Sequence, residues 1–369
     1  ISNFGQQEAA AEFPIIYYVI GQIWRLVGYH LWIAKLFSIS YLLLAIIAFR
    51  QVLLSYFNSE KLTLIFSGII FSSPVLIYYA DTLLPDVFSF ASLLLSASYF
   101  YRYVQTNKLI HWLVFTIFLA IAVLIKITAL VALLSFVGAF FFYSLHQANR
   151  AYWQDRRMWF GYLALFLVLV LTIWWYRYAI AYNTKHHSHI FSTTIRPIWE
   201  VDTATRWRII RLIWEEHLKE IMHPILLVSL LLALSALAIK GKISLFFRYW
   251  LLVALVGLSA YFILWFWVFE VHDYYFIEAL FFPLIIVAIV IKNYSEFLLD
   301  QKVGKWIFGA GLTFVFLNTV SFTQVAAGNQ NILVKNTFLT SKLVKGNWGW
   351  FYFNHQEGLE QIQQQSAAI

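Results

Sequence analysis

Tyr79-Ala80-Asp81-Thr82-Leu83-Leu84-Pro85-Asp86 is a short polar turn between two apolar runs, residues 62–79 and 87–104. Runs of that length can cross the roughly 30 Å hydrocarbon core of a bilayer as helices. The turn then lies at a membrane edge, where its two carboxylates lose hydration and no Lys or Arg adjoins them in sequence. Ionisable groups in that setting are costly and mark function by default. The turn therefore points to an all-α polytopic membrane protein and to a place for chemistry.

Composition agrees. The chain is 62% hydrophobic and 12% charged, against about 25% charged residues in an ordinary soluble domain. It has no cysteine, which excludes disulfides and thiolate metal sites. A net charge of +8 does not make it a nucleic-acid binder, because the basic residues are scattered through short loops and form no single face. No signal-peptide pattern follows Ile1, so the sequence reads as one that starts part-way through something longer.

About ten spans are expected, with ends good to a few residues: 31–56, 62–79, 87–104, 110–125, 128–145, 159–180, 224–239, 249–269, 275–291 and 306–322. Residues 13–27, interrupted by Gln22 and Arg25, read as an interfacial helix. Arg50, Lys61, Arg102, Lys108, Arg150, Arg156, Arg157, Lys240, Lys242, Arg248, Lys292, Lys302 and Lys305 fall in alternate loops. By the positive-inside rule that side is cytoplasmic. Asp81, Asp86, Lys126, Glu270, His272 and Asp273 then share the outer face with Glu8, Glu12 and the loop 181–223. ATP and nucleotide sugars are lacking there, and a lipid-borne activated substrate suits it. No repeat relates the two halves, and no paired broken helices mark a transporter.

Each candidate has a plain alternative. Asp86 and Asp81 can serve the turn, Asp86 as a cap for the next helix, or can bind a sugar hydroxyl or take a proton. Glu270-Val271-His272-Asp273 carries enough ligand chemistry for a divalent metal ion, and is also an ordinary interfacial loop with aromatic anchors at Tyr274 and Tyr275. Lys126 can snorkel to the headgroups or meet a lipid phosphate. Glu12, before Pro14, is a favourable charge at a helix start or a further site carboxylate. In the loop 181–223, His186, His187 and His189 are a weak metal signal. The stretch with Trp199, Arg206, Trp207, Arg208, Arg211 and Trp214 reads as a surface helix. Arg196 and Arg206 are its candidates for gripping a donor phosphate.

Glu12-Phe13-Pro14, Leu84-Pro85-Asp86, Leu124-Ile125-Lys126 and His272-Asp273-Tyr274-Tyr275 with Pro283 occur in one order and on one side of the membrane. In this the chain resembles the family 39 type of polytopic glycosyltransferase, which includes protein O-mannosyltransferases and lipid A aminoarabinose transferases. The resemblance covers about Glu12 to Phe322. It implies the C-type glycosyltransferase fold, and an inner membrane protein whose site faces the periplasm or exterior. It also implies transfer of a sugar from a polyprenyl-phosphate donor to a lipid, glycan or protein acceptor, with a divalent metal as an optional partner and no nucleic acid. Asp86 and Glu12 are then the site carboxylates, Lys126 the phosphate group, and Glu270, His272 and Asp273 the metal or positioning set. One departure matters: the family's first span and the start of its outer loop are missing, so its favoured catalytic base would precede Ile1. On this reading residues 1–325 are the transferase domain and 326–369 an outer-face tail. The alternatives from other classes are a transporter or flippase of lipid-linked sugars, and an inactive scaffold.

Overall fold

A computed structural model describes residues 10–146, 155–187, 196–270, 272–299 and scattered positions from 302 to 313. Most of the tenth expected span, all of the tail, Glu8 and His189 lie outside these. The described residues are helical, with no strand among them. In order, the helices are α1 Ile15–Val27, α2 Leu31–Phe57, α3 Glu60–Phe71, α4 Pro74–Tyr79, α5 Pro85–Thr106, α6 Leu109–Ile125, α7 Ala129–His146 and α8 Arg156–Lys185. After them come α9 Thr203–Leu212, a π-helical turn Ile213–His217, α10 Leu218–Ile221, α11 Pro224–Ile239 and α12 Leu245–Leu264. Two 3₁₀ turns, Phe266–Glu270 and Asp273–Tyr275, lead into α13 Phe276–Ala279, α14 Phe281–Asn293 and α15 Ser295–Leu299.

Among the described residues four helices, α2, α7, α8 and α12, are long and apolar enough to cross a membrane, or up to six if each of two bent pairs counts as one span. The chain is thus a helical membrane protein. Their apolar surface is largely left bare, as at Leu44 and Ile47 on α2, Phe166 and Trp174 on α8 and Val256 on α12, which is how helices facing lipid present themselves.

Several expected spans differ for local reasons. Residues 62–79 are broken at Ser72-Ser73, just before Pro74, giving two short helices. The run 275–291 bends by 43° between α13 and α14. The helix α5 has length enough, but Ser89, Ser92, Ser96 and Ser98 lower its hydropathy, and all four are buried. It is the centre of the bundle, packed between α2 and α6.

Those serines fit a membrane interior. Ser92 and Ser98 return their hydroxyls to the carbonyls of Phe88 and Leu94. Ser89 instead donates to the carbonyl of Ala122 on α6 at 3.0 Å. Small residues let helix backbones approach closely, and packing of this kind replaces the missing hydrophobic drive in lipid.

Antiparallel alternation gathers the polar contacts at two ends. At one, Arg50 pairs with Glu60, Arg102 with Gln51, and Lys292 with the carbonyl of Tyr56. At the other, Lys35 pairs with Asp81 at 3.0 Å and Arg208 with Glu270. The left-handed residues Asn58 and Asn107 close α2 and α5 at the first end, the usual position for such a cap.

Candidate functional site

At the second end, α6 stops at Ile125 and Lys126 takes an extended conformation before α7 begins. Extension turns its side chain inward. Its Nζ lies 3.3 Å from Asp86 Oδ2 and 3.5 Å from Glu12 Oε1. The ammonium also stands over the ring of Tyr275, 4.2 Å from its centroid, with Tyr274 at 5.5 Å. Cation–π contact of this kind gains strength when desolvated. Lys126 is 5% exposed, so it is not snorkelling to water. Burial alone would favour its neutral amine. Asp86, Tyr275, Glu12 and Tyr274 reverse that, and the ammonium is held well above the usual lysine range.

Asp86 is fully buried in the first turn of α5. It does not cap the helix: Leu84 occupies the N-cap position and Pro85 opens the first turn. The two carboxylates of the opening turn thus find bases that sequence adjacency hid. Lys35, four residues into α2, meets Asp81, and Lys126 meets Asp86. The pair at Asp81 is roughly half exposed and contributes about 1 kcal/mol or less.

Glu12 arrives on a segment that belongs to no helix. Phe13 N donates to the carbonyl of Leu124 at 3.0 Å, beside Lys126. Trp175 Nε1 donates to the carbonyl of Ala11, and the Phe13 ring meets Trp175 edge-on at 4.8 Å. Of the three charged groups, Glu12 has the most solvent contact, with its side chain 28% exposed against almost none for Lys126 and Asp86.

The expected metal set separates. Glu270 is taken by Arg208. Asp273 accepts from Tyr79 Oη at 2.5 Å and is buried. His272 stacks against Tyr274 and Tyr275, and burial followed by the nearby Lys126 charge pushes its imidazole down from the ordinary value. Among the described residues, no group of three His, Asp or Glu side chains is placed to hold a metal ion. Two candidate phosphate ligands also have other work. Arg196 covers the ring of Trp267 at 4.7 Å, and Arg206 donates to the carbonyl of Val201.

Two further features were not singled out from the sequence. Glu278, three residues after Tyr275 on α13, is 3% exposed and shares the electrostatic neighbourhood of Asp86 and Ser89. A lone acid in the apolar run Phe276-Ile277-Glu278-Ala279-Leu280 was the available signal. The second feature is His217 with Glu220, both buried. His217 Nδ1 lies 2.9 Å from Glu220 Oε2 and Nε2 lies 3.0 Å from the carbonyl of Phe269. Both ring nitrogens face acceptors, the arrangement of an imidazolium. The pair fastens this helical segment to the 3₁₀ turn Phe266–Glu270.

Comparison of the chain with protein-family models, curated proteins and solved structures finds no match.

Proposed function

We propose that the chain is an inverting glycosyltransferase that moves a sugar from a polyprenyl-phosphate donor to an acceptor on the outer face of the membrane, within the C-type fold and its larger set of spans. One observation supports this above all. Glu12, Asp86 and Lys126, up to 114 positions apart, share contacts beside Tyr274 and Tyr275, and these are the segments on which the family resemblance rests.

In this reading Glu12, the carboxylate with most access, takes the proton of the acceptor hydroxyl. The acceptor oxygen bonds to the anomeric carbon as the bond from that carbon to the phosphate oxygen breaks. Its electron pair stays on the lipid phosphate, whose charge Lys126 offsets. Asp86 orients Lys126. Phosphate binding is assigned to Lys126, which lies beside Glu12, and not to Arg196 or Arg206, which lie against Trp267 and Val201.

The test is consumption of a radiolabelled polyprenyl-phosphate hexose by the protein in liposomes, compared with Asp86→Asn and Lys126→Ala. Transfer lost in both variants supports the reading; equal turnover in all three proteins would sink it. A second reading, transport of a lipid-linked sugar, draws on Glu278 buried in a helix pair bent by 43°, since ionisable groups in broken helices line transport paths. Label that crosses the bilayer without being consumed would decide for it.

A further inference from the structure

Residues 10–13, which carry Glu12 to Lys126, have no helical hydrogen bonds of their own to fix them. Asn183, near the end of α8, supplies the anchor. Its Oδ1 accepts from Ala10 N at 2.7 Å and its Nδ2 donates to the carbonyl of Ala10 at 2.7 Å. The two partners together fix which way the amide faces. Asn183 is 6% exposed, so water competes little for either bond. On the far side of Glu12, Phe13 N is tied to Leu124. Glu12 therefore hangs between Asn183 and Trp175 of α8, which hold Ala10 and Ala11, and the end of α6, which holds Phe13.

We propose that Asn183 is a positioning residue for Glu12: its two-way clasp on Ala10 sets the Glu12 carboxylate against Lys126. The role rests on the transferase reading of Glu12, but the clasp itself does not. Small misplacement of a reacting group costs up to about 100-fold in rate, and that sets the scale expected here.

Two measurements on the full chain in liposomes test it. The first is independent of activity. In Asn183→Ala the backbone amides of Ala10 and Phe13 should exchange hydrogen faster. The coupling between Glu12→Gln and Lys126→Met in melting temperature, present in the native background, should vanish. Unchanged exchange, or coupling that persists, overturns the clasp whatever the protein catalyses. The second uses consumption of the polyprenyl-phosphate hexose. Asn183→Ala should lower kcat about 10- to 100-fold with the donor KM nearly unchanged. Asn183→Asp, which keeps the acceptor for Ala10 N but loses the donor, should lose less. In a Glu12→Gln background Asn183→Ala should cost nothing more; losses that multiply mean that Asn183 acts elsewhere and overturn the positioning role. Absence of donor consumption by the native protein refutes the transferase reading alone and leaves the first measurement to decide the clasp.

Discussion

Lys126 Nζ lies 3.3 Å from Asp86 Oδ2, and neither side chain has appreciable contact with water. Removing one member of a buried ion pair strands the other. Lys126→Met should therefore destabilise by about 3–5 kcal/mol, whereas adding Asp86→Asn to it should recover much of the loss. Melting in detergent, followed by light scattering, measures all three variants. A double variant no more stable than Lys126→Met would show that the pair is not coupled. Because the ammonium is held well above the usual range, its share of stability is fully present below the ordinary lysine value of about 10.4 and is lost only at higher pH.

His272 should behave in the opposite direction. Burial and then the Lys126 charge lower its pKa, so below about pH 6.5 the unfolded chain takes up a proton that the folded one refuses. Stability falls as the pH drops through that window. His272→Phe keeps a ring against Tyr274 and Tyr275 and should flatten the melting temperature between about pH 7 and pH 5 relative to the native chain. Equal slopes in the two proteins would refute the assignment.

The sequence was legible where one dimension suffices. Apolar run length and loop charge locate the helices and separate the chain's two polar ends, because both depend only on neighbours. Breaks were harder. Ser72-Ser73 and the bend after Ala279 interrupt runs whose hydropathy is continuous. The site was half legible. Glu12, Asp86 and Lys126 stood out as charges against an apolar background, and the structure brings them together. Asn183 did not stand out, since an amide gripping a distant backbone leaves no pattern in sequence. Glu270, His272 and Asp273 suggested one site by adjacency, yet they fall across two 3₁₀ turns and meet different partners.

The bond from Ser89 to the carbonyl of Ala122 joins α5 to α6. Interhelical hydrogen bonds in membranes contribute about 0.6 kcal/mol on average, so Ser89→Ala should barely move the melting temperature. Ser89→Leu adds volume at a position with no exposure and should cost about 1–3 kcal/mol through overpacking. The same melts separate the two mechanisms: an alanine variant as damaged as the leucine variant would make the hydrogen bond, and not the close approach, the source of stability.

The crossing of α7 and α12 is built from two reciprocal contacts between a glycine and a valine. A methyl group at Gly138 would come 3.0 Å from Val253 Cγ1, and one at Gly257 would come 3.2 Å from Val131 Cγ1. Each valine thus occupies the space that the opposite glycine leaves open, and the backbones approach because both spaces are filled once. Gly138→Val should cost about 1–3 kcal/mol by overpacking. Val253→Gly should cost a similar amount by opening a cavity. The exchange, Gly138→Val with Val253→Gly, restores one side chain to the shared space and should melt above either single variant. An exchanged protein that melts at the sum of the two losses would show that the valine and glycine do not share that space.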